Sequence, residues 1–202
     1  MTDRSLAARF ALGLGLTALI ATLCGCAPMR VTLIQPRAPG GQIKNGLCPP
    51  QPDFILFEQD GVVAAVHTRH AGSGRRAVYV SFEVPAHRTV RLFGSALLAT
   101  TSSGERVSSP MTGTWYGSRG RSAGVTPDSL MRGRTEHLRY GTRTGYRITR
   151  HDFFDFSAEF ASDLGDGFTV TLPKLAVNGF SWDLPPIRFV RVRCWVMMPF
   201  NC

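Results

Sequence analysis

Short stretches in which apolar and polar residues alternate constrain the fold of this chain more than any other feature. Between Ala77 and Val84, apolar side chains fill every second position, and Tyr79, Ser81 and Glu83 lie between them. Because successive side chains of a strand point to opposite faces of a sheet, this spacing predicts a β-strand with one buried face and one solvated face. Strands of this kind are typical of antiparallel sheets, whereas the strands of parallel α/β cores are apolar on both faces.

Turn residues divide the chain into about eight such strands. The expected strands are 54–57, 62–68, 77–84, one or two within 89–101, one after 147, 168–177, 180–183 and 187–198. The dipeptides Asp60-Gly61 and Asn178-Gly179 each separate two apolar runs, and each therefore predicts a tight hairpin. The chain is expected to be all-β, folded as an antiparallel β-sandwich or an open barrel.

One short helix is also expected, from Thr126 to Gly133. Thr126 is a suitable N-cap, Pro127 suits the first helical position, and Asp128 places an acid in the first turn. Gly133 would end this helix after about two turns.

The first 25 residues have the pattern of an export signal. Arg4 and Arg9 precede an apolar run from Phe10 to Leu23 that is too short to span a bilayer comfortably. The run ends in Leu23-Cys24-Gly25-Cys26, which resembles the lipobox of bacterial lipoproteins: a Leu three residues before the lipidated Cys and a small residue immediately before it. Cys26 fits this pattern. Cys24 does not, because Leu23 would then occupy the position that requires a small residue.

The resemblance covers only the leader and one residue of the mature chain, and what it implies is location. It implies that residues 1–25 are a signal peptide and that Cys26 carries the lipid. Because Ala27 rather than Asp follows the cysteine, it also implies an outer-membrane lipoprotein that faces the periplasm. The membrane is therefore an expected partner, through the lipid at Cys26.

The mature chain is expected to divide at residue 53. Residues 26–53 are rich in Pro and Gly and show little periodicity, so an extended tether is predicted there after the lipidated Cys26. Residues 54–202 are expected to form a single β-sandwich domain, with a basic loop region over 102–150.

Export to an oxidising compartment permits disulfides. Of the cysteines left after lipidation, Cys194 alternates with the apolar residues of the last strand, whereas Cys48 and Cys202 lie in loop-like settings near the two ends of the domain. A Cys48–Cys202 bridge is therefore predicted, with Cys194–Cys202 as the main alternative.

Positive charge is the other pronounced property of the chain, which carries a formal net charge of +9. Eight arginines lie between Arg119 and Arg150, whereas residues 152–166 contain five acidic residues and no basic one. The basic segment could bind an anion or could pair with the acidic segment, and both interpretations remain open. In the first case the ligand would be an anionic envelope polymer or an acidic protein, not a nucleic acid. The candidate anion-binding residues are then Arg132, Arg134, Arg139 and Arg143.

Three segments resemble functional motifs without predicting chemistry. The segment Gly120-Arg121-Ser122-Ala123-Gly124 matches the nucleophile elbow G-x-S-x-G, but no buried strand precedes it and the expected fold is wrong for that motif. His67 and His70 could suggest a metal-binding pair, but a spacing of three residues would send their side chains to opposite faces of a strand. The segment 163–167 lacks most ligands of a calcium loop and is interpreted as a turn. No catalytic residue, metal site or cofactor is expected.

Together these features favour a non-enzymatic, lipid-anchored envelope protein with a binding or assembly role. Two alternatives remain. An envelope hydrolase, or an accessory to one, acting on a polysaccharide or acyl substrate would need a nucleophile or an acid/base pair within hydrogen-bond reach of a partner. A secretion or pilus assembly component would need an exposed strand edge.

Overall fold

A computed structural model of the chain describes residues 26–44, 54–71, 75–116, 122–133 and 151–199. Within these ranges the chain forms sixteen β-strands, and none of it forms a helix of the length and apolarity needed to cross a membrane. In chain order the strands are β1 (Cys26–Arg37), β2 (Gln42–Lys44), β3 (Phe54–Gln59), β4 (Val62–His70), β5 (Arg76–Pro85), β6 (Thr89–Phe93), β7 (Ala96–Thr101), β8 (Arg106–Pro110), β9 (Thr112–Tyr116), β10 (Ser122–Val125), β11 (Leu130–Arg132), β12 (His151–Phe160), β13 (Gly167–Thr171), β14 (Lys174–Val177), β15 (Phe180–Trp182) and β16 (Ile187–Pro199).

The strands form three antiparallel sheets. Sheet A has the order β1-β16-β13-β7-β8, sheet B the order β10-β9-β12-β5-β4-β3-β2, and sheet C the order β11-β6-β14-β15. None of the three closes into a barrel over the described residues, because each ends in two edge strands. The predicted fold class is therefore confirmed: the chain is an all-β sandwich of antiparallel sheets.

The three sheets share one core. Phe82 of β5 and Phe156 of β12 meet edge to face with ring centroids 6.1 Å apart. Phe168 of β13 and Phe189 of β16 stack with centroids 4.9 Å apart. Sheet C adds Met131, which is fully buried. Because alternate side chains of each strand enter this core, the intervening side chains are left on the outer faces of the sheets.

Both predicted hairpins are confirmed. Asp60 and Gly61 have φ values of 51° and 78°, and Asn178 and Gly179 have φ values of 52° and 85°. Two successive residues with positive φ are what a type I′ turn requires, and Asn, Asp and Gly adopt that conformation more readily than other residues. The first dipeptide joins β3 to β4, and the second joins β14 to β15.

The helix expected over 126–133 is absent, and that prediction is wrong. The Thr126 carbonyl accepts hydrogen bonds from the backbone N–H of Ser129 at 3.0 Å and from its hydroxyl at 2.6 Å, which closes a turn. Strand β11 follows at once, and the N–H of Gly133 donates to the carbonyl of Arg88 at 2.9 Å. Ser, Thr, Pro and Asp favour turns as well as helix starts, and here pairing with β6 decides the outcome.

The amino-terminal segment differs from the expected tether over 26–53. Strand β1 pairs with β16 along its whole length, from Cys26 opposite Pro199 to Arg37 opposite Arg188. It is an edge strand, and an edge strand tolerates proline because one of its sides needs no hydrogen-bond donor. A proline-rich composition therefore did not distinguish a tether from an edge strand. Residues 45–53 lie outside the described part of the chain.

Much of the expected loop region 102–150 is also built into the sheets. Strand β8 belongs to sheet A, β9 and β10 to sheet B, and β11 to sheet C. Residues 117–121 and 134–150 lie outside the described ranges. The expected loop region is therefore not one continuous excursion from the sandwich, since its described part contributes strands to all three sheets.

Candidate functional site

The outer face of sheet B carries a polar cleft, and the strand register explains its shape. Asp155 of β12 lies opposite Thr114 of β9 on one side and Ser81 of β5 on the other. In the next row, Ser157 lies opposite Tyr79. Small polar side chains thus occupy the middle of the face, where neighbouring strands place them side by side. Larger side chains stand at the margins and form the walls.

The cleft has a volume of about 310 Å³. This is close to the lower limit of roughly 300 Å³ for sites that hold a small organic ligand. The lining residues come from β4, β5, β9 and β12, and they are His67, Arg69, Tyr79, Ser81, Thr112, Thr114, Tyr116, Asp155, Phe156 and Ser157.

One wall is built around the ring of Tyr79. The imidazole of His67 stacks on this ring with centroids 5.0 Å apart and planes 9° from parallel. The guanidinium carbon of Arg69 lies 5.7 Å from the centroid of the same ring. His67 and Tyr79 are cross-strand neighbours of β4 and β5, so the sheet itself holds the two rings together. The contacts with His67 and with Arg69 restrict the Tyr79 ring, so this wall of the cleft is formed before a ligand binds.

The same surroundings hold His67 in its neutral form. The pKa of His67 is lowered from 6.5 to about 4, chiefly by burial and to a smaller extent by the positive charge of Arg69. At neutral pH the imidazole therefore carries one N–H donor and one unprotonated nitrogen acceptor.

The opposite wall and the floor supply the remaining chemistry. Tyr116 of β9 is 44% exposed, so part of its side chain remains open to a ligand. On the floor, the hydroxyls of Thr112 and Ser157 lie 3.2 Å apart and form a hydrogen bond. Asp155 is half-buried, and in the described part of the chain its carboxylate pairs with no cation and accepts no hydrogen bond. A partly desolvated carboxylate without a partner gains from any donor that a ligand brings.

The cleft brings together Ser81, His67 and Asp155, the residue types of a catalytic triad, without the geometry of one. In a triad the serine hydroxyl donates to the histidine, and the carboxylate accepts from the other ring nitrogen. Over the described residues no hydrogen bond joins these three side chains, and the His67 ring stacks on Tyr79 instead. A pKa of about 4 also makes His67 a weak base at neutral pH.

Of the site residues predicted from the sequence, the two that the structure describes do not line this cleft. Cys26 begins β1, and Arg132 is an exposed residue of β11 in sheet C. Arg134, Arg139, Arg143, Cys48 and Cys202 lie outside the described residues. The backbone of Cys194 pairs with that of Val31, and no disulfide occurs in the described part of the chain.

The motif-like segments now have structural explanations. Asp163 accepts a hydrogen bond from the N–H of Gly165 at 2.9 Å, so the predicted turn before β13 is confirmed. Ser122 begins β10, a short edge strand, and not a strand-to-helix elbow. His67 lines the cleft, whereas His70 is exposed at the end of β4. Across the described ranges, no three His, Cys, Asp or Glu side chains are grouped in a way that could hold a metal ion.

The cleft was not predicted from the sequence, although two of its residues could have been recognised as outward-facing. Tyr79 and Ser81 occupy the polar positions of an otherwise apolar alternation, so their outward orientation could be expected. Their neighbours Thr114 and Asp155 come from distant strands, and only the order β9-β12-β5 places them alongside.

No protein-family model matches this chain, and neither a curated protein nor a solved structure shows significant similarity to it.

Proposed function

We propose that the chain is an exported lipoprotein, anchored through Cys26, whose β-sandwich binds a saccharide of the cell envelope in the cleft of sheet B without catalysing a reaction. One observation carries the binding part of this proposal: the cleft combines two tyrosine rings, a set of hydroxyls and a carboxylate that pairs with no cation among the described residues. The lipobox-like segment ending at Cys26 carries the anchoring part.

The lining of the cleft complements the two surfaces of a sugar ring. A pyranose presents apolar C–H faces and a rim of hydroxyls, so it needs both aromatic area and hydrogen-bonding groups. Tyr79 and Tyr116 supply the aromatic area. Asp155 accepts hydrogen bonds, and the hydroxyls of Ser81 and Thr114 both donate and accept them. The open shape of the cleft, on the face of a sheet, suits part of a longer glycan.

The carboxylate count favours binding over glycoside hydrolysis. Glycosidases usually place two carboxyl groups on either side of the bond that they cleave, roughly 5 to 10 Å apart. Asp155 is the only acidic residue among the described residues that line the cleft. An acyl hydrolase would need an activated nucleophile, and among the described residues Ser81 has no hydrogen bond to a base.

The sheet edges give little support to an assembly role by strand addition. Such a role needs a long edge with free backbone groups. The edge strands of sheets B and C that the structure describes are three or four residues long. Strand β1 is longer, but it contains Pro28 and Pro36, which cannot donate to a further strand.

Isothermal titration calorimetry with defined envelope glycans tests the saccharide site. The probes are peptidoglycan glycan fragments and lipopolysaccharide core oligosaccharides. Asp155→Asn keeps the shape of the side chain and removes its charge, and it should weaken binding at least tenfold, because hydrogen bonds to a charged group contribute about 1.5 to 3 kcal/mol. Tyr116→Ala should have a similar effect. Phe180→Ala, which removes a 71% exposed aromatic ring from sheet C, is the matched control and should leave binding unchanged.

Equal weakening by Phe180→Ala and Tyr116→Ala would place the binding surface elsewhere. Turnover of a glycan by the unsubstituted protein, abolished by Asp155→Asn, would support the hydrolase alternative instead.

The anchor is tested separately. Cys26→Ser should leave an unprocessed precursor that takes up no labelled fatty acid, whereas the unsubstituted protein should be labelled and fractionate with outer membranes. Label on Cys24 in the substituted protein would contradict the assignment of Cys26. Recovery of the unsubstituted protein mainly in inner membranes would contradict the proposed location.

A further inference from the structure

The outer face of sheet C combines positive charge with exposed apolar side chains. Arg91 lies opposite Leu130, and Lys174 lies opposite Phe93. Arg132 follows Leu130 by two residues in β11 and therefore lies on the same face. Phe93 is 54% exposed and Leu130 is 52% exposed, so two large apolar side chains lie in solvent on the same face as the cations.

No acidic residue offsets this charge within the strands of sheet C. Their sequences are Leu-Met-Arg, Thr-Val-Arg-Leu-Phe, Lys-Leu-Ala-Val and Phe-Ser-Trp. Two acids flank the sheet, and both are engaged in local hydrogen bonds: Asp128 accepts from the N–H of Gly94 at 3.0 Å, and Asp183 accepts from the hydroxyl of Ser181 at 3.2 Å. The four strands themselves therefore carry three cations and no carboxylate.

The face is rigid. Val90, Leu92, Met131 and Leu175 alternate with the outward residues and are fully buried in the core. The guanidinium carbon of Arg91 lies 5.3 Å from the centroid of the Phe93 ring, so cation and aromatic ring are held together. The strands that carry the exposed apolar groups are thus anchored in the core.

We infer that this face, defined by Arg91, Arg132, Lys174, Phe93 and Leu130, contacts the surface of an anionic lipid bilayer. Basic side chains are attracted to acidic headgroups, and apolar side chains between them enter the boundary between headgroups and acyl chains. A soluble anionic polymer would account for the cations but not for the exposed Phe93 and Leu130. The inference rests on the proposed membrane location, but its surface shares no residue with the saccharide cleft of sheet B.

The expected strength follows from the number of cations. Each basic residue close to an anionic membrane surface strengthens binding about fivefold, so three of them together contribute about a hundredfold. The apolar side chains of Phe93 and Leu130 add a hydrophobic contribution to binding, which salt does not screen.

Vesicle sedimentation of the full chain carrying Cys26→Ser tests this inference without the proposed acyl anchor. The vesicles contain either phosphatidylcholine alone or phosphatidylcholine with phosphatidylglycerol. Arg91, Arg132 and Lys174 are replaced together by Gln, and the matched control replaces Lys44, Arg106 and Arg188, which are exposed on sheets A and B. Both variants lose the same charge and keep the same leader, so any contribution of the leader cancels.

The sheet C variant should bind anionic vesicles about a hundredfold more weakly than the parent chain, and the control no more than fivefold. Phe93→Ser with Leu130→Ser should weaken binding even in 0.5 M salt. Equal losses in both triple variants would mean that net charge alone attracts the vesicles and would overturn the inference. So would unchanged binding after the Phe93 and Leu130 substitutions, because the surface would then suit a soluble polyanion. Saccharide binding is measured on the same proteins and should be unaffected, which separates this inference from the proposed function.

Discussion

The neutral His67 in the cleft wall predicts a specific loss of stability in acid. Its pKa is lowered from 6.5 to about 4 in the folded protein, by burial first and by Arg69 second. In the unfolded chain it should titrate near 6.5. As the pH falls through 6.5, the unfolded state therefore takes up a proton that the folded state does not. The free energy of unfolding then decreases until the pH reaches about 4, below which both states are protonated.

The size of this effect follows from the two pKa values. At 1.36 kcal/mol for each pKa unit, the difference between 6.5 and about 4 corresponds to roughly 3 kcal/mol in acid. The ring is partly exposed, and solvent screening reduces the effect to about 2 kcal/mol. About 1 kcal/mol of this should be lost between pH 7.5 and pH 5, because part of the interval between the two pKa values lies below pH 5.

Urea unfolding at pH 7.5 and pH 5 measures this loss. His67→Gln removes the titrating group, so the substituted protein should lose about 1 kcal/mol less than the unsubstituted protein between the two pH values. The comparison uses the change with pH and not the absolute stability, because the substitution also removes the stacking on Tyr79. His70→Gln, at an exposed position three residues further along β4, is the control. The reasoning is refuted if His67→Gln leaves the pH dependence unchanged, or if His70→Gln alters it to the same extent.

Three further predictions concern the fold. Gly133→Ala should destabilise the protein by about 3 kcal/mol in urea unfolding, because its Cβ would lie 1.9 Å from the carbonyl oxygen of Pro85 and only backbone could move away; Gly124→Ala, with no atom within 4 Å of the added Cβ, should change stability by less than about 0.5 kcal/mol. Asn178→Ala should lower the free energy of unfolding by about 2 kcal/mol in the same assay, because the Asn178 side chain accepts a hydrogen bond from the Thr89 N–H at 3.1 Å and the Asn178 φ is 52°. Asn178→Gly should be less destabilising than Asn178→Ala, because Gly tolerates the positive φ but cannot replace the hydrogen bond. Peptide mapping without reduction should recover a Cys48–Cys202 peptide, and a Cys194–Cys202 peptide would establish the alternative pairing instead.

Local features of this fold were predictable, and the pairing of distant strands was not. The turn at Asp60-Gly61 could be predicted because its dihedral requirements fall on two adjacent residues. The segment 168–177 looked like one strand, but it forms β13 in sheet A and β14 in sheet C. Leu172 and Pro173 separate the two strands. Pro173 has no N–H group to donate to a neighbouring strand, so the pairing of β13 cannot continue through it. Which sheet each half joins depends on partners elsewhere in the chain.

The candidate site was harder to foresee for the same reason. Binding surfaces on a sheet are assembled across strands, so their residues are neighbours in the sheet and distant in the sequence. The sequence drew attention instead to a local concentration of arginines. Arg132 is the one member of the proposed anion-binding set that the structure describes, and it lies on the outer face of sheet C beside Arg91, which belongs to a different part of the chain. A run of arginines in the sequence thus reflected only the local composition. The register of the sheet determines which charged residues share a surface.

The start of β1 at Cys26 has a consequence for the proposed anchoring. A tether over residues 26–53 would let the domain move up to about 90 Å from the lipid when fully extended. Residues 26–37 instead pair with β16 from the first residue, so an acyl chain on Cys26 would be attached directly to a strand of sheet A. Under the proposed anchoring the sandwich is then held beside the bilayer, which keeps lipid at a high local concentration around the domain. An insertion of ten Gly and Ser residues between Cys26 and Ala27 would restore a tether. If a short attachment promotes this contact, the insertion should reduce photo-crosslinking of β6 and β11 to anionic lipids while leaving membrane fractionation intact.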